Sequence, residues 1–266
     1  MITWIFEKDL FEEENAQMQE AVSAFGYSFK EIEHIPFADT DWSYLFKEKT
    51  PTVFYGSLQL SKKLRPLCKG VYCDLPKFEC TYYYPHFGEF LLNDKYIMLP
   101  FGELKRQKEF LFEKLSISNS LFVRPSSGFK LFTGQVINLE TFDKDFDYLN
   151  FYEVDSHKVV VVAPPKNIDK EWRLVIADKK VIASTLYKEG KNLVSVEGCP
   201  DEVKNYAEKI ASVWEPERIW CMDICQYGDE IKLLEIGAFS SSGLYACNKY
   251  DIIKKVSEIV IEEYHE

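Results

Sequence analysis

A chain of 266 residues with 46% hydrophobic and 15% aromatic residues can bury a substantial core, and two modest domains are expected rather than one large one. A formal net charge of -11 repels a phosphate backbone, which excludes an extended nucleic-acid surface but not a local basic pocket. The opening MITWIFEKDLFEEEN meets acidic residues before a signal-peptide apolar region is complete, and no apolar run reaches membrane-spanning length, so a soluble, cytoplasmic protein is expected.

Seven cysteines (Cys68, Cys73, Cys80, Cys199, Cys221, Cys225, Cys247) without CxxC spacing are expected as reduced, mostly buried thiols. On a strand, Cys221 and Cys225 share a face with Asp223, which favours core packing over zinc ligation. His34, His86, His157 and His265 form no ligand or triad pattern, which argues against histidine chemistry.

In chain order, Ile2 to Phe6 reads as a buried strand. A helix from about Leu10 to Phe25 follows, with Met18, Val22 and Phe25 near helical spacing and Gly26 as its stop. Tyr27 to Ile35 alternates, Thr52 to Tyr55 is a compact strand, and Leu58, Leu60 and Leu64 mark a helix after Gly56-Ser57, so residues 1–100 read as a small α/β domain. Lys69 to Leu99, with FECTYYYPHFGEF, has mixed periodicity, and both an aromatic packing face and a substrate-stacking wall remain open for it.

Phe101 to Lys114 reads as an amphipathic helix, and residues 101–266 as the second domain. Val159 to Val162 is a β-branched run ending at Ala163-Pro164-Pro165. Hairpins are expected for Trp172 to Ile176 with Val181 to Leu186, and for Ile219 to Cys225 with Ile231 to Ile236. Helices are expected after Pro200, with Val203, Tyr206, Ala207 and Ile210 on one stripe, and after Asp251 as cap, burying Ile252, Val256, Ile259 and Val260. The fold class is α+β.

Three stretches carry chemistry. In FVRPSSGFKLFTG, Phe122 to Gly134, Arg124 and Lys130 supply positive charge, while Ser126, Ser127 and Gly128 allow a tight turn whose amides suit phosphate oxygens. A phosphate clamp and a polar surface hairpin are both open readings, and the GxxxxGK spacing of a Walker loop is absent. In Glu171-Trp172-Arg173, strand alternation sends Glu171 and Arg173 to one face and Trp172 to the other, as a pair facing a ligand or, the reading this stretch by itself favours, as an exposed ion pair on an ordinary strand. In WCMDICQYGDEIKLLEIG, a hairpin with a three-residue loop centred on Asp229 sets Asp223 directly opposite Glu235, whereas a two-residue turn sends them to opposite faces. Opposed carboxylates on a buried hairpin cost stability, and a magnesium ion held partly by nucleotide phosphates relieves that cost; two exposed acids at a sheet rim are the other, weaker reading.

The order of these stretches resembles the ATP-grasp ligases. FVRPSSGFKLFTGQV, EWRLVIADKKVIAS, MDIC and LLEIGAFSSSGLYACN resemble the clade whose signature is two arginines and a lysine, over about Leu121 to Asn248. The resemblance implies ATP between two α+β lobes after a small α/β domain, with Arg124 and Lys130 on the phosphates. It also implies Val162 and Ala163 as the hinge against adenine, Glu171 and Arg173 lining the cleft, and Asp223 and Glu235 holding Mg2+. The activity implied is activation of a carboxylate as an acyl phosphate for attack by an amine, releasing ADP. A small-molecule kinase and a nucleotide-binding module without turnover are the alternatives.

One departure stands out: the family's asparagine two residues after the metal-binding glutamate is Gly237 here. Ser240, Ser241, Ser242 and Tyr245 follow, as substrate contacts or as a plain turn.

Overall fold

A computed structural model describes residues 2–266 apart from 36, 37, 39, 47–49, 129, 130 and 152. The apolar opening run forms β1 (Thr3–Glu7), followed by α1 (Glu12–Ala24), β2 (Ser28–Ile32), β3 (Thr52–Tyr55) and α2 (Leu58–Leu64). Ser57 caps α2, its hydroxyl accepting the Leu60 N–H at 3.2 Å. Then come α3 (Cys80–Phe87), β4 (Ile97–Pro100), α4 (Glu103–Arg106), α5 (Lys108–Leu115), β5 (Ser120–Pro125), β6 (Gln135–Asn138), α6 (Phe142–Asn150) and β7 (Val159–Ala163). The helix expected from Phe101 to Lys114 is thus two helices, joined at Gln107, whose φ of -98° and ψ of 12° leave helical geometry.

The remaining elements are β8 (Lys170–Ala177), β9 (Lys180–Glu189), β10 (Asn192–Glu197), α7 (Asp201–Val213), β11 (Ile219–Tyr227), β12 (Glu230–Ala238) and α8 (Lys249–His265). The cap of α8 is Asn248 rather than Asp251: its side-chain oxygen accepts the N–H groups of Tyr250 at 3.0 Å and Asp251 at 3.2 Å.

Packing divides the chain into two compact units, Met1–Leu75 with Asp169–Glu266, and Pro76–Ile168. This division runs differently from the sequence division at residue 100, because shared core rather than chain continuity sets it. The first unit holds a parallel sheet ordered β2-β1-β3 and an antiparallel sheet ordered β10-β9-β8-β11-β12. One core joins them: Trp4, Phe6, Met18, Val22 and Val53 pack with Val175, Ala177, Ile219 and Cys221 and with Ile252, Ile253, Val256 and Val260 of α8. Full burial of each large apolar side chain stabilises by about 1.5–3 kcal/mol relative to exposure, so the amino-terminal sheet depends on residues some two hundred positions away.

The second unit holds an antiparallel sheet ordered β4-β7-β5-β6. Its core contains Phe101, Leu104, Leu111, Leu121, Val123, Phe142, Val160 and Val162. In the aromatic stretch, Tyr83, Tyr84 and Phe87 of α3 are buried, and Tyr84 meets Tyr96 edge-on at 4.9 Å. No helix among the described residues is long and apolar enough to cross a membrane.

A buried hydrogen bond ties the ends of the first unit, the Trp4 indole N–H donating to Ser257 Oγ at 3.0 Å across 253 residues. Ser257→Ala leaves that donor without its partner and is expected to lower unfolding free energy by about 1–3 kcal/mol. Urea titration of wild type and variant measures the difference.

Candidate functional site

The site is built on β8, β11 and β12, where Arg173, Asp223 and Glu235 form a row across three strands: Asp223 lies opposite Arg173 on one side and Glu235 on the other. The route to this register differs from the expected three-residue loop. Tyr227 pairs with Glu230, so the turn is the two-residue Gly228-Asp229, with Gly228 at φ 58°. Such a turn alone sets Asp223 against Leu234. The register instead steps from Ile224 opposite Leu233 to Asp223 opposite Glu235, which makes Leu234 the extra residue of a β-bulge. The bulge, and not the turn, brings the two carboxylates to one face.

That face has two halves. Toward Ile219 and Ala177 it is apolar and belongs to the core under α8. Toward Glu171 it is polar, with Lys188 opposite Glu171 on β9. The alternate positions Leu174, Ile176, Trp220, Met222 and Ile224 are buried on the other face. Cys221 and Cys225 flank Asp223 on its own face as buried thiols, and none of the seven cysteines is in a disulfide.

Arg173 and Asp223 sit at the border of the two halves. Arg173 Nε and Nη2 each donate to a different oxygen of Asp223 at 2.7 Å, and Nη1 donates to the Gly243 carbonyl at 2.8 Å. Burial penalises both charges. It opposes protonation of Arg173, yet the Asp223 charge outweighs this and holds the guanidinium well above its ordinary range. Burial lifts Asp223 above the usual carboxylate range, with Arg173 acting against it and Glu235 and Glu171 acting with it. The side chains are only 13% and 3% exposed, so removing either partner strands a charge.

Glu171 shares the face with Arg173 but has partners of its own. It accepts from Lys188 Nζ at 2.5 Å and from the Tyr187 hydroxyl at 2.7 Å. Tyr187 reaches it as the extra residue of a second bulge, since Glu171 pairs with Lys188 and Trp172 with Leu186. Burial, with Asp223 and Glu171 nearby, raises the Tyr187 hydroxyl far above its ordinary pKa and keeps it a donor.

The segment after β12 separates the four residues picked from its sequence. Ser240 is fully buried, its hydroxyl accepting the Tyr72 N–H at 2.9 Å and its carbonyl the Gly56 N–H at 2.8 Å. Ser242 Oγ donates to the Ala238 carbonyl at 2.7 Å. It also lies 3.0 Å from where a Cβ on Gly237 would stand, a contact tighter than ordinary van der Waals packing. Ser241 is half-buried, and Tyr245 is 41% exposed. The Tyr245 ring stacks on Tyr187 at 5.2 Å, with the Arg173 guanidinium 5.4 Å from its centroid.

In the second unit, Arg124 on β5 lies opposite Val161 on β7, and Phe122 opposite Ala163, so Arg124 and Ala163 share the face turned from the core that contains Val123 and Val162. Gly134 closes over this face: a Cβ there would meet Phe122 Cζ at 2.8 Å and Arg124 Cβ at 3.2 Å. Ser126 donates its N–H to the Val159 carbonyl at 2.9 Å and its carbonyl accepts the Cys80 N–H at 2.9 Å, so it braces α3. Lys130 lies outside the described residues.

Tyr187, Lys188 and Glu14 went unnoticed in the sequence. The first two are aligned with Glu171 by a bulge, and Glu14 reaches its partners, Leu244 and Tyr245, across about 230 positions. No local pattern marks either. Among the described residues no group of three Asp, Glu, His or Cys side chains is arranged to hold a metal ion. Two opposed carboxylates suit a cation that brings phosphate and water ligands with it, and do not make a complete protein cage.

These strands, lobes and charged row define an ATP-grasp architecture. The family description that matches residues 106–255 is the ATP-grasp domain of the clade named for two arginines and a lysine, second family, and the chain belongs to that family. Among solved structures it is similar to the D-cycloserine synthetase DcsG, at 12% identity and a TM-score of 0.68 over 97% of this chain and 99% of that one. It is also similar to the D-alanine–D-alanine ligase from Bacillus anthracis, at 12% identity and 0.59 over 98% and 99%. A third likeness is the ATP-grasp ligase PsnB with a minimal precursor, at 12% and 0.57 over 96% and 98%. At such identities these likenesses speak to fold alone. No curated protein matches by sequence.

Arg173→Gln is expected to cost about 3–5 kcal/mol in a urea unfolding experiment at pH 7, because Asp223 is left buried and unpaired. Combined with Asp223→Asn it is expected to cost less than the two single changes summed, and a double-mutant cycle reads the coupling.

Proposed function

We propose that this protein is an ATP- and Mg2+-dependent, ADP-forming ligase that activates a carboxylate as an acyl phosphate for attack by an amine. The observation that carries the reading is the row Arg173, Asp223 and Glu235, which a bulge places at the polar end of a sheet in a chain of the ATP-grasp family. In this reading Arg124 and Lys130 bind phosphate, and the strand end at Val162 and Ala163 faces adenine. The Val162 side chain is in the core, so its share is made by backbone groups. Glu235 and Asp223 hold Mg2+, which neutralises phosphate charge.

Arg173 has a double part. It compensates Asp223 in the protein as it stands, and in this reading its fixed charge stabilises a transferring phosphoryl group. Glu171, with Tyr187 and Lys188, keeps the neighbouring part of the sheet polar and charge-balanced. Tyr245 is the exposed member of the segment after β12 and the best placed to touch the second substrate. Seven cysteines outside any disulfide accord with a reducing, cytoplasmic setting.

A module that binds nucleotide without turnover is the second reading. Gly237 favours it, because the family's asparagine is missing there and a Cβ at this position would press on the Ser242 hydroxyl at 3.0 Å.

One assay separates the readings. ADP and phosphate released from MgATP only when both a carboxylic acid and an amine are supplied support the ligase, a stable phosphorylated product supports a kinase, and ATP binding with no ADP from any acceptor pool supports the module. Glu235→Gln is the cleaner metal variant, because Asp223→Asn also breaks the buried pair with Arg173. It is expected to lower turnover by about 100-fold or more, equivalent to roughly 2.7 kcal/mol of transition-state stabilisation. Thermal unfolding of the same sample is expected to stay within a few degrees of wild type, and full activity in Glu235→Gln sinks the metal assignment.

A further inference from the structure

Three charged side chains from three separate elements share out the backbone of one short segment. Arg173 of β8 donates to the Gly243 carbonyl at 2.8 Å. Glu14 of α1 accepts the Leu244 N–H at 2.7 Å on Oε2 and the Tyr245 N–H at 3.0 Å on Oε1. Lys249 of α8 donates to the carbonyls of Tyr245 and Cys247. Tyr245 itself is held at φ 46°, a left-handed conformation that a bulky residue adopts only when its surroundings impose it.

The Tyr55 hydroxyl completes the arrangement from the carboxyl end of β3, at 2.7 Å from the Ser242 carbonyl and 3.0 Å from Glu14 Oε2. The peptide planes on either side of the Gly243 carbonyl are therefore fixed by the amino-terminal part of the chain. That carbonyl is one of the acceptors that orient Arg173, and the residue held in the strained conformation is the aromatic ring stacked beside it.

We infer that Glu14 is a positioning residue of the site: by holding the Leu244 and Tyr245 N–H groups it sets the ring of Tyr245 and the third acceptor of Arg173. The amino-terminal α/β region thereby takes part in shaping the acceptor side of the reaction. This second statement rests on the ligase reading, whereas the geometry of the segment does not.

Glu14→Gln preserves the shape of the side chain but turns one acceptor oxygen into a donor that faces an N–H. Residue-resolved amide hydrogen exchange on the full chain without nucleotide is expected to speed up by about tenfold or more at whichever of Leu244 and Tyr245 faces the new NH2 group, the loss of roughly one hydrogen bond. The amides of Val22 in α1 and Val256 in α8 are expected to stay within about twofold of wild type over the same experiment. An unchanged rate at Leu244 and Tyr245, or an equal acceleration throughout α1, overturns the inference.

The same variant is then assayed for ADP release with a pool of carboxylic acids and amines. The apparent KM for the pool is expected to rise about tenfold, with the KM for ATP within about twofold of wild type, since the interaction lost lies beside Tyr245. Wild-type protein that releases no ADP overturns the ligase reading and leaves exchange to decide on Glu14. A turning-over wild type with an unchanged pool KM in Glu14→Gln overturns the positioning role.

Discussion

One extra residue governs the site. Leu234 is accommodated as a bulge in β12, and without it the two-residue turn at Gly228-Asp229 sends Glu235 to the face opposite Asp223. With it, three charged side chains line up across adjacent strands where the apolar face under α8 gives way to a polar one. The bulge costs a ladder position and yields a row of one arginine and two carboxylates that no regular hairpin of this sequence provides.

Burial makes that row demanding. A carboxylate 2% exposed cannot stand alone, and Arg173 meets both of its oxygens while anchoring to the Gly243 carbonyl. The countercharge that opposed carboxylates require is thus supplied first by an arginine of the neighbouring strand. Under the ligase reading, the two carboxylates would offer a cation that comes with nucleotide phosphates a shared site rather than a finished cage, the mode that suits Mg2+ better than Ca2+. Glu171 repeats the principle one step along the sheet, with Lys188 and Tyr187 brought to it by a second bulge.

The amino-terminal sheet belongs to this site more closely than a linear division of domains suggests. Trp4, Phe6 and Val53 share a core with Val175, Ile219 and α8, and the Trp4 to Ser257 hydrogen bond joins the two ends of the chain. Glu14, Tyr55, Gly56 and Tyr72 all make hydrogen bonds to the segment after β12. That segment is therefore held from the amino-terminal side as well as by the strand that leads into it.

What the amino-acid sequence determined by itself was local and periodic. The strand-helix opening, the β-branched run at Val159, the hairpins after Trp172 and Ile219 and the apolar stripe of α8 all rest on alternation, spacing or turn residues within a few positions, while the likeness to an ATP-grasp chain rests on resemblance to that family in the order of motifs from about Leu121 to Asn248. The shared face of Glu171 and Arg173 and the same-face placement of Cys221, Asp223 and Cys225 follow from strand alternation alone.

Tertiary structure decided whatever depends on two distant segments meeting. It chose Asn248 over Asp251 as the cap, made Ser240 a buried brace and Tyr245 an exposed ring, and paired Arg173 with Asp223. It opposed Asp223 to Glu235 through a bulge at Leu234, a residue whose insertion carries no local signature because it is the packing of both sheet faces that selects the register.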